Sequence, residues 1–310
     1  MEISLLLMQQ IAQLFLILIM GYAVVKAGLL KASDSRVLSV VMVYLVTPCV
    51  IINAFQIDDT PEIRKGLLYS MAIAAAIHVV LLVLSALLSR PLKLDAVEQV
   101  NVIYSNAAAL VIPLVKALMG DAYVIYSCAF IIVQLVLLWT PASSLLQGSS
   151  ALDWKKVLTN INMIAIAAGA LLYWFRVVLP APLQNTMSTV GNMMGPMGML
   201  LAGMAIAEKP LREVFCTRRN YLPTVLRLVV CPLVVLVLLW VCHASSWVAD
   251  GKNILMTVYL AAITPACATV TSMAQLYDRD AAHSSALYVL TTLLSIVSMP
   301  IMIGLFDLLL

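Results

Sequence analysis

Apolar residues occur in ten long runs separated by short polar connections, and this pattern predicts an all-helical integral membrane protein. Each run spans roughly 18–25 residues, the length that a helix needs to cross a hydrocarbon core of about 30 Å. The connections are too short to form a domain outside the bilayer. The predicted spans cover roughly residues 5–25, 37–56, 66–88, 98–120, 122–147, 157–179, 187–207, 221–243, 253–276 and 282–307.

The composition supports this class. Of the 310 residues, 63% are hydrophobic and 11% are charged, whereas soluble domains average roughly 45–50% and 25%. The six cysteines are scattered without a C-x-x-C pair or metal-ligand spacing, so we expect apolar packing residues and no metal site. The sequence contains no motif for a cofactor, and we expect none.

The basic residues predict the orientation. With the N-terminus outside, twelve lysines and arginines lie in cytoplasmic connections, and only Arg64, Lys65, Arg176 and Lys252 lie outside. This bias follows the positive-inside rule and predicts that both termini are external. The net charge of +3 is therefore a topology signal, and no nucleic-acid partner is expected. The predicted location is the cytoplasmic (inner) membrane, with the lipid bilayer as partner.

Two proline pairs predict an internal repeat of five helices. Pro48 and Pro113 of spans 2 and 4 are 65 residues apart, and Pro196 and Pro265 of spans 7 and 9 are 69 residues apart. Five spans per copy place the second copy inverted relative to the first. The predicted repeats are residues 1–150 and 151–310. Inverted repeats with interrupted helices in matching positions indicate a transporter with a binding site near the midplane.

The prolines in spans 4 and 9 stand beside small polar residues, and there we predict that both helices break and cross at mid-membrane. A proline lacks an N–H group and disrupts the preceding helical turn. The half-helices after Pro113 and Pro265 would then begin at the crossing and point their positive dipole ends at an anion. The predicted substrate-binding residues are Asn106, Pro113, Pro265, Thr264, Ser105, Asn101, Thr269 and Lys116.

Three ionisable residues inside spans leave alternatives open. Lys116 either reaches the outer interface along its stem or contacts substrate. His78 is either a proton carrier or a hydrogen-bonded interior histidine. Arg227 lies about four residues into span 8, where reaching the interface would suffice. No Asp or Glu lies in the middle of a span, so proton-driven cation exchange is not expected.

The sequence resembles the auxin efflux carrier family along its whole length. "GYAVVKAGLLKASDSRVLSVVMVYLVTPCVIINAF" (21–55) is similar to the family's first two spans, and "GPMGMLLAGMAI" (195–206) to its seventh. "NAAALVIPL" (106–114) is similar to the fourth-span motif, and "TPACATVTSMAQLYD" (264–278) to the ninth. The glycine-rich patch at the family's first break is here alanine and valine, which reduces backbone freedom. Lys116 also departs from the family pattern.

The resemblance implies a ten-helix fold of two inverted repeats. Spans 1, 2, 6 and 7 would form a scaffold that often mediates dimerisation, so a homodimer is expected. Spans 3–5 and 8–10 would form a transport domain whose broken helices 4 and 9 hold the substrate. The resemblance carries the site onto Asn106, Pro113 and Pro265. Plant members export the carboxylate auxin, and bacterial relatives are associated with malate, malonate and similar acids. The short link between spans 5 and 6 resembles that of the bacterial members.

The leading hypothesis is a secondary transporter, and specifically an exporter, of small organic anions such as dicarboxylates by alternating access. The alternative is a sodium-coupled organic-anion importer of the bile-acid-symporter type, for which Asn101, Gln134, Gln275 and Thr269 could supply oxygen ligands. A sensor built on the same scaffold is a further alternative. An enzyme is not expected, because the sequence lacks a G-x-S-x-G motif, an H-E-x-x-H motif and a Ser–His–Asp set at depth.

Overall fold

The computed structural model describes residues 2–56, 60–148, 159, 161–208 and 211–310. Within these ranges the regular elements are helices, and the one β-type pairing is an isolated bridge. Helices that follow one another without interruption share a label below. They are α1 (Glu2–Lys26), α2 (Ser35–Val41, Met42–Val46 and Thr47–Ala54), α3 (Pro61–Ser89), α4 (Ala96–Ile103), α5 (Ala107–Met119), α6 (Val124–Gln147), α7 (Ile161–Trp174), α8 (Ala181–Gly191), α9 (Met194–Glu208), α10 (Leu211–Cys216), α11 (Arg218–Val241), α12 (Gly251–Ile263), α13 (Ala268–Leu276) and α14 (Ala281–Leu309).

Five helical segments in the described ranges are long and apolar enough to cross a membrane: Val37–Ala54, Pro61–Ser89, Val124–Gln147, Arg218–Val241 and Ala281–Leu309. Three shorter apolar helices are Phe15–Lys26, Ile161–Trp174 and Gly251–Ile263. Eight of the ten predicted spans overlap one of these elements, the fourth overlaps α4 and α5, and the seventh overlaps α8 and α9. The all-helical membrane class is thus confirmed.

Prolines inside the long helices produce wide turns and do not break them. Three five-residue stretches of the described chain are π-helical. Met42–Val46 ends two residues before Pro48, and Leu226–Val230 ends two residues before Pro232. The third stretch, Leu138–Ala142, contains Pro141. A proline cannot donate to the carbonyl four residues earlier, and a π turn is one way to absorb the missing bond. Pro48 therefore does not interrupt α2. Pro300 likewise lies inside an unbroken α14.

The seventh predicted span differs from the expectation of one continuous helix. Its helical part begins earlier, at Ala181, and a turn at Asn192–Met193 separates α8 from α9. Pro196 is the third residue of α9 and lies beyond that turn. A proline fits the first turn of a helix, where its missing N–H group would have no intrahelical partner.

Helices α1 and α9 pack with their backbones in direct contact. A Cβ atom added at Gly203 would lie 1.9 Å from the Leu18 carbonyl oxygen and 2.7 Å from the Tyr22 nitrogen, and one added at Gly21 would lie 2.4 Å from the Leu200 oxygen. Small residues allow this approach in a bilayer, where close van der Waals packing drives helix association. A separate, larger buried core is formed mainly by α3–α6, α11, α12 and α14.

Candidate functional site

The fourth and ninth predicted spans are both interrupted, and their interruptions touch. The first interruption separates α4 from α5 at residues 104–106, and the second separates α12 from α13 at residues 264–267. Ser105 and Ala266 form an antiparallel bridge, with the Asn106 N–H donating to the Pro265 carbonyl at 2.8 Å and the Cys267 N–H to the Tyr104 carbonyl at 3.1 Å. The predicted meeting of two broken helices is confirmed.

The first interruption is not where the sequence placed it. Pro113 lies inside α5, six residues after its first residue Ala107, or about 9 Å along the axis. The chain is extended at Tyr104, with φ −96° and ψ 127°. The prediction that a half-helix begins after Pro113 is therefore wrong. Pro265, in contrast, lies within the second interruption as predicted.

The side chain of Gln134 on α6 holds the first interruption open. Its Oε1 accepts from the Ser105 N–H at 3.1 Å and from the Ser105 Oγ at 2.7 Å, while its Nε2 donates to the Ser105 carbonyl at 2.8 Å. The carboxamide thus pairs with both backbone groups of one residue, as a neighbouring strand would. Buried backbone groups need partners, and this pairing satisfies those of Ser105 outside a helix.

Arg227 on α11 caps the carboxyl ends of both preceding half-helices. Its Nη1 donates to the carbonyls of Val102 and Ile103 at 3.1 and 3.2 Å, at the end of α4. Its Nε and Nη2 donate to the Thr264 carbonyl at 3.0 and 2.7 Å, and Nη2 also bonds the Ala262 carbonyl, at the end of α12. All five N–H donors of the guanidinium are used.

The position of Arg227 overturns the expectation that its side chain reaches the interface. The residue is 1% exposed and lies in the π-helical turn Leu226–Val230, which precedes Pro232. Pro232 thus accompanies the turn that carries the arginine. A signal was present, because an ionisable residue within a membrane segment is a functional candidate by default.

Asn106 places a buried polar group at the crossing. It is the residue before α5, yet its side chain caps no amide of that helix. Asn106 is 4% exposed, and its Nδ2 has no hydrogen-bond partner. Tyr288 of α14 is a neighbour of this side chain. An unpaired buried donor is costly, so this amide is a candidate ligand-binding group.

Comparison with known proteins agrees with this geometry. A family model described as membrane transport protein matches residues 6–155 and 149–303. The chain belongs to the auxin efflux carrier family. A search of curated proteins gives no match. The family indicates a secondary transporter, and with its apolar helices the chain is a multi-pass membrane protein.

Three other predicted site residues of this transporter have structural partners at the crossing. The Ser105 hydroxyl is bonded to Gln134, as described, and the Thr264 Oγ1 donates to the Ala261 carbonyl at 3.0 Å. The Asn101 Nδ2 donates to the Val97 carbonyl at 2.9 Å and the Ser284 Oγ at 3.1 Å, which leaves its Oδ1 without a partner. Thr269, half-buried in the first turn of α13, is the fourth residue near the crossing.

Lys116 does not lie at the crossing. It is exposed and occupies the last turn of α5, nine residues beyond Ala107, or about 13 Å along the helix. Of the two interpretations of this lysine, the structure favours the position near the helix end. His78 has the hydrogen-bonded interior environment: its Nδ1–H donates to the Ala74 carbonyl at 2.8 Å and its ring packs on Phe130 at 4.7 Å between centroids.

One cluster in the described part of the chain has side chains of the kind that bind metals. Ligand atoms of Asp95, Glu98 and His283 lie within 4.8 Å of one another. However, the Arg219 guanidinium donates to Glu98 at 2.7 and 3.1 Å and to Asp95 at 2.9 Å. These bonds supply the positive charge that a metal would bring, and we read the cluster as an ion-pair network joining the starts of α4, α11 and α14.

A small cavity lies one turn beyond the crossing. A cavity of about 30 Å³ lies between α1, α5, α9 and α14, and Leu110 and Thr292 are among the residues that line it. Leu110 is one turn beyond Asn106. The cavity has room for little more than a water molecule, so an organic acid needs a rearrangement of these helices to enter.

Proposed function

We propose that this family member is a secondary transporter that exports small organic anions, such as malate, malonate or other carboxylates, by alternating access around the helix crossing. The observation that carries the proposal is the buried guanidinium of Arg227 beside two helix amino ends. Among the described residues, no carboxylate lies within ion-pair distance of this guanidinium. A buried positive charge without a counter-ion favours an anionic ligand.

The half-helix ends strengthen this argument. The carboxyl ends of α4 and α12 carry negative partial charge, but Arg227 covers their carbonyls. The amino ends of α5 and α13 begin at Ala107 and Ala268, and each is equivalent to about half a positive charge. First-turn amides have no intrahelical partner and commonly bind carboxylates. Asn106 would add a neutral donor beside them.

We further propose ten spans in two inverted repeats, residues 1–150 and 151–310. The antiparallel direction of the bridge between Ser105 and Ala266 supports inversion. The family match divides in two near residue 150, which is compatible with this boundary.

The scaffold would consist of spans 1, 2, 6 and 7, and the close contact of α1 with α9 supports a rigid body there. The transport domain, spans 3–5 and 8–10, would move past this scaffold and open the small cavity to one side at a time. The proposal includes a homodimer through the scaffold, and an inner-membrane location with both termini outside, as the basic residues predict. An interior-negative potential would favour export of an anion by about 2.3 kcal/mol per charge per 100 mV.

The proposal is tested by a screen of mono- and dicarboxylates against the purified protein, first by thermal shift and then by flux in proteoliposomes. A ligand that binds only the folded state raises the melting temperature. Stabilisation by cations alone would contradict the anion hypothesis. Uptake that requires sodium would instead support the importer of the bile-acid-symporter type.

Two variants test the site. We expect Asn106→Ala and Pro265→Ala to remove flux while the protein remains folded, and Asn185→Ala on the exposed side of α8 to serve as the matched control. For Asn106, losing one hydrogen bond to a charged ligand corresponds to roughly 1.5–3 kcal/mol, or about a 10- to 100-fold loss of transport rate. Wild-type rates in both variants would disprove the site assignment.

A further inference from the structure

Arg227 is a buried charge that its own fold does not neutralise. Glu98, the buried carboxylate of the described residues, is 2% exposed and is paired with Arg219 and His283. The five bonds of Arg227 end on neutral backbone carbonyls, those of Val102, Ile103, Ala262 and Thr264. A guanidinium remains protonated in proteins. It is therefore a permanent positive charge fixed to both crossing segments.

The helix ends at the crossing do not cancel this charge. Two carboxyl ends, those of α4 and α12, and two amino ends, those of α5 and α13, meet there. Each carboxyl end contributes about half a negative charge and each amino end about half a positive charge, so the four ends sum to zero. One whole positive charge remains. Any segment that moves with the crossing moves this charge across the membrane field.

We propose that Arg227 is a positioning residue whose charge a bound carboxylate neutralises, so that the transporter reorients as a neutral body when loaded with a monoanion and as a cation when empty. This inference rests on the proposed function and specifies its coupling to voltage. The guanidinium does not touch the substrate, because all its donors are engaged. It acts through the field at the crossing and by holding both half-helix ends in place.

The charge assignment predicts which step of the cycle is driven by voltage. With a negative interior, the empty cationic site is drawn inward, and the loaded neutral site is indifferent. The loaded step moves no net charge and the empty step moves one positive charge inward, so one cycle transfers one net negative charge, that of the monoanion, to the outside. The empty site returns to the side from which export begins. The membrane potential can accelerate this return of the empty site by at most about 50-fold per 100 mV.

The experiment compares exchange with net flux in proteoliposomes at a potential set by potassium and valinomycin. The probes are labelled lactate, a monoanion, and labelled malate, a dianion at neutral pH. Exchange of lactate against lactate uses only loaded steps, so its rate should be independent of voltage, whereas net lactate efflux should increase severalfold when the interior is negative. Malate exchange should depend on voltage, because the loaded site then carries one negative charge.

Variants assign the effect to Arg227. In Arg227→Gln the loaded site carries the full substrate charge. Lactate exchange should therefore become voltage-dependent, and the charge that the loaded site carries in malate exchange should increase from one negative charge to two. Arg227→Lys keeps the charge and should retain the wild-type pattern, even if the protein is less stable. Lys252→Gln removes a positive charge at the exposed start of α12. It should change the voltage dependence of neither lactate exchange nor malate exchange.

Each outcome supports or overturns one claim. If the glutamine variant does not fold, the lysine variant and the wild-type difference between exchange and efflux carry the test. Lactate exchange as voltage-dependent as lactate efflux in the wild type would overturn the charge assignment and leave the proposed function standing. If neither lactate nor malate, nor any other carboxylate of the screen, binds or is transported, the proposed function itself fails.

Discussion

The hydroxyl of Tyr104 donates a hydrogen bond of 2.9 Å to the carbonyl oxygen of Leu137. That carbonyl lies four residues before Pro141, which has no N–H group to offer it. A residue of the first interruption thus bonds the carbonyl that precedes the π-helical turn around Pro141 in the neighbouring helix. Two irregular features of the backbone, 33 positions apart, stabilise each other.

This relationship predicts a non-additive pair of substitutions. Tyr104→Phe should lower the free energy of unfolding by about 1 kcal/mol, because it removes the hydrogen bond from the Tyr104 hydroxyl to the Leu137 carbonyl. Pro141→Ala restores an N–H group, and in that background Tyr104→Phe should cost less. The interaction energy from thermal unfolding in detergent should be about 0.5–1 kcal/mol. Strictly additive melting shifts would contradict the account.

Gln134 should be the most sensitive residue of the first interruption. Gln134→Leu leaves the Ser105 N–H and carbonyl buried without partners, which should cost about 2–4 kcal/mol in unfolding free energy. Ser105→Ala removes only the hydroxyl bond and should cost about 1 kcal/mol. Melting temperatures of the two purified variants check the order. Equal effects would mean that the carboxamide does not pair with the backbone.

Gly203 should tolerate no side chain. In Gly203→Val, the Cβ would overlap the Leu18 carbonyl oxygen, and the contact between α1 and α9 would have to separate. We expect a large loss of monodisperse protein after size-exclusion chromatography. Gly304→Ala on α14 is the matched control, since no atom lies within 4 Å of its added Cβ and alanine favours a helix by about 1 kcal/mol.

The ion-pair network predicts an order of stability between two variants. Arg219→Gln leaves the buried Glu98 carboxylate with His283 and backbone contacts, and should cost roughly 1.5–3 kcal/mol. Glu98→Gln removes the buried charge together with its need for a partner, and should cost less. Thermal unfolding at neutral pH measures both. A more stable Arg219→Gln than Glu98→Gln would show that Arg219 is not the main partner of the carboxylate.

The second interruption was predicted at the correct place, and the first was predicted at a wrong one. At Pro265 the cause is local, because the proline itself removes a donor. At residues 104–106 no proline or glycine is present, and the helix ends because Gln134, 29 positions away, pairs with Ser105. A search for prolines therefore moved the first break to Pro113, which remains inside α5.

The sequence by itself determined the membrane class, the approximate limits of the helical segments, the family and the polar character of spans 4 and 9. These features follow from composition, periodicity and local motifs, which act within about one helix length. Only the tertiary structure decided which polar side chains are consumed by the fold and which are left for a ligand. Arg227 meets carbonyls 35–37 and 124–125 positions away, and long-range partners of this kind determine whether a buried charge is capped, neutralised or available.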